Sequence, residues 1–326
     1  MRRSVFDARA PYAIGVDVGG TKINTGIIDA QGNVLATHSI ATLAAEKNVP
    51  ERIGLAVEAV IAEFCQADTN SLESRVVQLR GIGVGTAGQV DWEAGSIRFS
   101  SDLIPGYGGT PLRQLLQKRF GLPVWVDNDV NVLALTEKTL GAGRGVCHLL
   151  CLALGTGVGG AVVIDGKLVH GTWGGAGELG HMSVDFNGLP CVCGSIGCLE
   201  QYASGTGIAK RMAAKLASLG LPEQSIDART TITRWQAGDP AASDVMRETF
   251  AALGSAIASL LHTFNPEVIV IGGGVAEAGE ALLDEVRKEV ARRAMPSFMD
   301  DVQIVPAYRG NWSGMIGAGL QAWTYV

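Results

Sequence analysis

Val16-Asp17-Val18-Gly19-Gly20-Thr21 and Leu152-Ala153-Leu154-Gly155-Thr156-Gly157 are two versions of one pattern, an apolar strand that stops at a glycine turn. Each turn leads into another strand, and a helix and a further strand follow later. Apolar runs of this length read as strands, and glycines clustered at their ends read as turns. The repetition implies two related α/β domains facing one another across a cleft, an arrangement suited to closing on a ligand.

Outward from the first turn, Tyr12–Val18, Asn24–Asp29 and Val34–Ile40 read as strands, the last two joined by a turn at Gln31-Gly32-Asn33. Ile53, Ala56, Val57, Val60, Ile61 and Phe64 recur at helical spacing. Val76–Val84 returns as a strand into Gly85-Thr86-Ala87-Gly88. A helix over 111–120, a short strand at Val124-Trp125-Val126 and a helix over 130–139 follow, the last opened by Asp127-Asn128-Asp129. Around the second turn, Cys147–Leu154 and Ala161–Ile164 read as strands, and 165–200 as irregular. Helices are expected over 205–219, 230–238 and 240–264. The buried strand Val268–Ile271 ends in Gly272-Gly273-Gly274; a helix (280–293), a strand (302–305) and a helix (315–323) close the pattern.

At 326 residues, 47% apolar and 18% charged, the chain has the composition of an ordinary globular protein and the length of two domains. A net charge of −6 argues against a nucleic-acid partner. Six cysteines are too sparse for a disulfide scaffold and fit a reducing cytoplasm; Cys65, Cys147 and Cys151 are expected to be buried thiols. The basic start Met1-Arg2-Arg3-Ser4 precedes no hydrophobic stretch, so no secretion signal is expected. The uncharged run 145–164 is broken by Gly155, Gly157, Gly159 and Gly160 and reads as two strands rather than a membrane span.

The turn Asp17-Val18-Gly19-Gly20-Thr21-Lys22 lets backbone amides approach a phosphate, with a hydroxyl at Thr21 and a charge at Lys22. Asp17 is suited to holding Mg²⁺ directly or through water. A plain tight hairpin with a solvated Lys22 fits the same letters. Gly83-x-Gly85-x-x-Gly88 and Gly155-x-Gly157-x-x-Gly160 match the dinucleotide fingerprint, but neither opens a helix, so a Rossmann reading is rejected; no P-loop motif is present. One glycine turn per half plus Gly272-Gly273-Gly274 could hold a nucleotide together.

Gly180-His181 and Cys191-Val192-Cys193-Gly194-Ser195-Ile196-Gly197-Cys198 gather one imidazole and three thiols in a glycine-rich segment. His181, Cys191, Cys193 and Cys198 make a closed four-ligand set for a structural Zn²⁺, with no position left for a metal-bound water. The second nitrogen of His181 would then point outward, toward a supporting group or a substrate. Glu178 and Glu200 bracket the knot and suit recognition of a polyhydroxylated ligand. Asp129, after a strand and at a helix start, suits either a helix cap or a general base for a substrate hydroxyl. Asp127 and Asn128 compete for the cap, and the residues alone leave both roles open.

These pieces resemble the sugar kinases of the ROK (repressor, open reading frame, kinase) family, glucokinase-like and within the actin-like ATPase superfamily. The resemblance rests on Asp17-x-Gly19-Gly20-Thr21-Lys22, the stretch from Gly83 to Asp91, Asn128-Asp129, Gly155-Thr156-Gly157-x-Gly159-Gly160, Gly177-Glu178-x-Gly180-His181, the Cys191–Glu200 knot and Gly272-Gly273-Gly274, in the family's order. It implies an α/β fold of two actin-like (ribonuclease H-like) domains around a central cleft. Residues 1–126, joined by the C-terminal helix at about 312–326, would form one domain, and 127–311 the other, carrying the zinc motif. Asp129 would be the base. Asn128, Glu178, His181, Glu200 and Gly88 would bind sugar. Asp17, Gly19, Gly20, Thr21, Lys22, Gly155, Thr156 and Gly157 would face the phosphates and Mg²⁺ of ATP, with Gly273 and Gly274 near the adenosine.

The resemblance therefore implies a cytoplasmic, ATP-dependent hexose kinase with structural zinc, acting on the 6-OH of glucose and assembled as a homo-oligomer, dimer or tetramer. No nucleic-acid or membrane partner is expected. N-acetylmannosamine or N-acetylglucosamine is the alternative substrate, and a non-catalytic sugar-binding regulator the alternative of another class. Ala87 stands where the family often has proline, and Asp102 where glucokinase-like members often have asparagine. Family repressors carry an N-terminal helix-turn-helix, for which residues 1–11 are too few.

Overall fold

The computed structural model describes residues 5–7, 9–67, 78–100, 103–221 and 225–325. Its first strands are β1 (Val5–Phe6), β2 (Tyr12–Val18), β3 (Lys22–Asp29) and β4 (Val34–Ala41), followed by helix α1 (Val49–Ala67). Then come β5 (Gln78–Thr86), β6 (Gln89–Asp91), β7 (Ser96–Phe99), α2 (Leu112–Phe120), β8 (Val124–Asn128) and α3 (Asp129–Thr139). Next are β9 (Leu149–Leu154), β10 (Val158–Ile164), β11 (Lys167–Leu168), α4 (Glu200–Ala203), α5 (Gly205–Ser218), α6 (Ala228–Gln236) and α7 (Pro240–Phe264). The last are β12 (Val268–Gly272), α8 (Glu280–Ala291), β13 (Gln303–Pro306) and α9 (Ser313–Thr324).

The chain divides into two compact units: residues 1–144, 168–176 and 312–326 form unit 1, and residues 145–167 and 177–311 form unit 2. The first division falls at Arg144/Gly145 rather than at the expected 126/127. The reason is long-range packing: Thr136 of α3 donates to the Ser313 carbonyl of α9 at 2.6 Å, so α3 stays with unit 1. The segment 168–176 also belongs to unit 1.

In unit 1 the sheet runs β1-β5-β2-β3-β4, with β8 also paired to β5. The β2–β3 and β3–β4 pairs are antiparallel; β2–β5 and β5–β8 are parallel. Unit 2 repeats this plan as β11-β10-β9-β12-β13, antiparallel at β9–β10 and parallel at β9–β12 and β12–β13. Parallel neighbours place their C-terminal ends on one sheet edge, where α/β proteins commonly place ligands. Ile14, Val16, Ile23, Ile27, Ile53, Val57, Ile82 and Val84 are fully buried in unit 1, as the two periodicities require.

α9 lies on β2 and β5. A Cβ on Gly15 would overlap the Met315 carbonyl, and one on Gly83 the Ala318 carbonyl, so both glycines are needed for the helix backbone to approach the sheet. Gln321 donates to the Val84 carbonyl at 3.2 Å.

The run 145–164 forms the β9–β10 hairpin. Among the described residues no helix is long and apolar enough to cross a membrane. Three expectations are corrected. Cys147 is exposed and Cys65 half-buried; only Cys151 is a buried thiol outside the knot. The helix expected over 230–238 spans Ala228–Gln236, because Asp227 caps it by accepting from Thr230 N at 2.7 Å. The hairpin β6–β7 was not anticipated. Residues 76–77 of the expected strand lie outside the described residues, as does Asp102.

Candidate active site

Asp127, Asn128 and Asp129 sit where β8 runs into α3; Asn128 and Asp129 share the Val130 amide, and Asp127 has partners of its own. Asn128 is the cap of α3: its Oδ1 accepts from Val130 N at 2.8 Å, and its Nδ2 donates to the Gly88 carbonyl at 3.1 Å. Asp127 is buried and turned away from the cap, accepting from Asn128 N (2.7 Å) and Asn131 Nδ2 (2.8 Å) on Oδ1. Its Oδ2 lies 2.7 Å from His170 Nε2. Asp129 stays half-buried, with Oδ1 accepting from Val130 N at 3.0 Å.

Asp17 is the last residue but one of β2, which is separated from β8 in the sheet by β5. Burial first, and then the Asp129 charge, push its carboxyl up to about 7, while Asn24 Nδ2 at 3.5 Å pulls the other way. The turn that follows is rigidly held. Gly19 N donates to the Lys22 carbonyl at 2.9 Å, Thr42 Oγ1 to the Gly19 carbonyl at 2.7 Å, and Thr42 N to the Thr21 carbonyl at 2.9 Å. Thr21 and Lys22 are exposed, and Gly20 lies between them and Gly19.

In unit 2 a cavity of about 800 Å³ collects Gly155, Thr156, Gly205, Thr206, Lys210, Asp227, Gln236 and Gly274. Ser204 caps α5 through Gly207 N at 2.9 Å, and Gly205 N donates to the Gly155 carbonyl at 2.8 Å. The N-terminus of α5 therefore borders the glycine turn, a favourable place for an anion. Gly273 has φ +86° and packs against the Leu154 backbone, which frees Gly274 to line the cavity. Gly157 does not line it. It lies against Glu200, whose Oε2 accepts from Val158 N at 3.1 Å. Thr206, Lys210, Asp227 and Gln236 were missed by sequence reading. The caps at Ser204 and Asp227 were the available signal, since each aims a helix start at the cavity.

The four expected metal ligands do converge: one donor atom from each of His181, Cys191, Cys193 and Cys198 lies within 4.8 Å of all the others. His181 Nδ1 is 3.6 Å from Cys191 Sγ, and Cys193 Sγ is 3.6 Å from Cys198 Sγ. Zn–S bonds of about 2.3 Å at tetrahedral angles put sulfurs about 3.8 Å apart, so the donor set suits Zn²⁺. Burial, with the thiols of Cys191 and Cys193 beside it, pushes the Cys198 thiol up to about 12, whereas the Ser195 backbone holds Cys193 down. A divalent cation reverses that resistance by taking thiolate. Gln201 Nε2 supports Cys191 Sγ at 3.4 Å. Because Nδ1 faces the sulfurs, Nε2 of His181 is left for another partner. Exposed Glu178 shares the turn with His181, whose N–H donates to the Glu178 carbonyl at 3.1 Å.

The sequence profile of the ROK family spans residues 13–323. The chain belongs to the ROK family. It is 36% identical over 316 residues to a glucokinase of Thermotoga maritima, covering 94% of this chain and 95% of that one. A ROK family glucokinase from Streptomyces griseus, solved in complex with glucose and AMPPNP, is similar with a TM-score of 0.81 and 34% identity, over 96% of this chain and 99% of that chain. A ROK hexokinase from Thermus thermophilus is similar with a TM-score of 0.80 and 32% identity, over 96% and 98% of the two chains. This ROK chain therefore has the α/β actin-like ATPase fold.

Proposed function

We propose that this ROK protein is a glucokinase, moving the γ-phosphoryl group of ATP to the 6-hydroxyl of glucose. The chain is an ATP-dependent sugar kinase, akin to relatives named glucokinases at 33–36% identity over 94% of its length. The observation that carries the mechanism is the division of labour at the end of β8. Asn128 accepts the cap amide at 2.8 Å and Asp127 takes the buried network, so Asp129, which meets the same amide at 3.0 Å, does not have to supply either alone. Asp129 acts as the base that accepts the proton of the attacking hydroxyl.

Asn128, Gly88, Glu178, His181 and Glu200 bind the sugar hydroxyls, His181 through Nε2. Asp17 would hold Mg²⁺, which would supply charge neutralisation for the transferring phosphates. Gly19, Gly20, Thr21, Lys22, Gly155, Thr156 and Gly157 face the phosphates, while Gly274, which lines the cavity of about 800 Å³, and Gly273 beside it border the nucleoside. His181, Cys191, Cys193 and Cys198 would hold zinc, which would fix the imidazole and the turn bearing Glu178. The reading takes sugar and ATP as partners, with neither nucleic acid nor membrane, and makes the chain a cytoplasmic homo-oligomer, dimer or tetramer. The net charge of −6 supports the exclusion of nucleic acid.

The test is ADP release from zinc-replete protein over glucose, mannose, N-acetylglucosamine and N-acetylmannosamine. The highest kcat/KM is expected with glucose. A higher value for an acetylamino sugar would replace the substrate, and no release with any sugar would favour the regulator.

A further inference from the structure

Unit 1 holds a buried carboxylate–imidazole pair that the proposed chemistry does not use. Asp127 and His170 have side chains only 4% and 8% exposed. His170 belongs to the segment 168–176, which reaches unit 1 between two stretches of unit 2. Trp92 stacks on its imidazole at 4.4 Å and 17°. Trp173 of the same segment carries Arg98 4.6 Å over its ring, and Ala176 N donates to the His170 carbonyl at 3.1 Å. The imidazole is thus held from its face, while its Nε2 meets Asp127 Oδ2 at 2.7 Å.

A carboxylate this buried needs its oxygens filled by donors. Oδ1 has two, the backbone N–H of Asn128 and the side chain of Asn131 in the first turns of α3; Oδ2 has His170. The position of this one carboxylate therefore sets the peptide that carries Asn128 and Asp129. We infer that His170 is a positioning residue for phosphoryl transfer, acting through Asp127 to hold Asn128 and Asp129 in register with the acceptor hydroxyl. His170 itself touches no reacting atom. The inference rests on the sugar-kinase reading above, since it assigns His170 a role in that reaction. Small misplacements of a reacting group are costly, about 10²-fold for 1 Å.

The test pairs His170→Ala with His170→Gln, whose amide can still donate to Asp127. In His170→Ala, kcat with glucose and ATP is expected to fall about 10-fold or more with the glucose KM within about two-fold, and His170→Gln to restore most of it. Amide hydrogen exchange at Asn128–Val130 should quicken in the alanine variant and stay slow in the glutamine variant, with both folded by thermal melt. An unchanged kcat, a loss confined to KM, or equal loss in both variants overturns the assignment. If the parent chain releases no ADP with any sugar, the kinase reading fails. The exchange comparison then still decides whether His170 fixes the end of β8, and equal protection in the parent and the alanine variant rejects that.

Discussion

Two carboxylates, Asp129 and Asp17, carry most of the chemistry proposed for unit 1, and each can be separated from the other by substitution. Asp129→Asn keeps the shape and the contact to Val130 N but removes the proton acceptor. Its turnover is expected to drop by about 10²-fold or more, with sugar binding by calorimetry little changed; near-normal turnover would take Asp129 out of the role. Asp17 gives a pH test. Its carboxyl lies near 7 in the folded chain against an ordinary 3.8, raised by burial and by Asp129. Between those values the folded chain binds the extra proton, so this group's effect on stability worsens as pH rises from about 4 to 7 and is level above. Asp17→Asn should therefore raise the urea midpoint relative to the parent at pH 8 and leave it unchanged at pH 4. The same gain at both values would mean that neither burial nor Asp129 raises this carboxyl.

At the scale of elements, the Cys/His knot is the clearest unit, because its four donors come from one glycine-rich stretch with short-range spacing. The two strand–glycine turns were legible for a similar reason: strand ends and turns are local signals. The β6–β7 hairpin was not, since strands of three and four residues show too little alternation to register. The Asp127–His170 pair was also invisible, because a single histidine and a single aspartate 43 positions apart leave no period to detect. The same holds for α3: its sequence begins with a cap, but its allegiance to unit 1 is decided by α9 at the far end of the chain. The knot makes a prediction of its own. Cys193→Ser should lower bound zinc by metal analysis and raise the glucose KM by about 10-fold or more, through loss of the fixed His181 orientation. Full activity at low zinc content would uncouple the metal from sugar recognition.

For the chain as a whole, one plan is used twice: an antiparallel meander extended by parallel strands, once in each unit. The duplication explains why glycine turns recur at matching strand ends. It does not explain α9, whose sequence lies after unit 2 while its packing belongs to unit 1. Met315, Ile316 and Leu320 of this helix are buried with Ile28 and Leu135. The approach depends on bare backbone at Gly15 and Gly83, so an added methyl there acts on the junction between chain end and sheet. Gly83→Ala places a Cβ against the Ala318 carbonyl and cannot be absorbed by a side-chain rotation. It should destabilise unit 1 by about 1–3 kcal/mol, the usual range for overpacking. Trp92, Trp125, Trp173, Trp312 and Trp323 lie in unit 1 and Trp235 in unit 2, so intrinsic fluorescence reports chiefly on unit 1. In urea the fluorescence midpoint of Gly83→Ala should move down, while amide exchange in β9, β10 and β12 keeps its parental protection. An unmoved midpoint would show that α9 can withdraw from the sheet without cost, and an equal loss of protection in β9, β10 and β12 would show that the two units unfold as one.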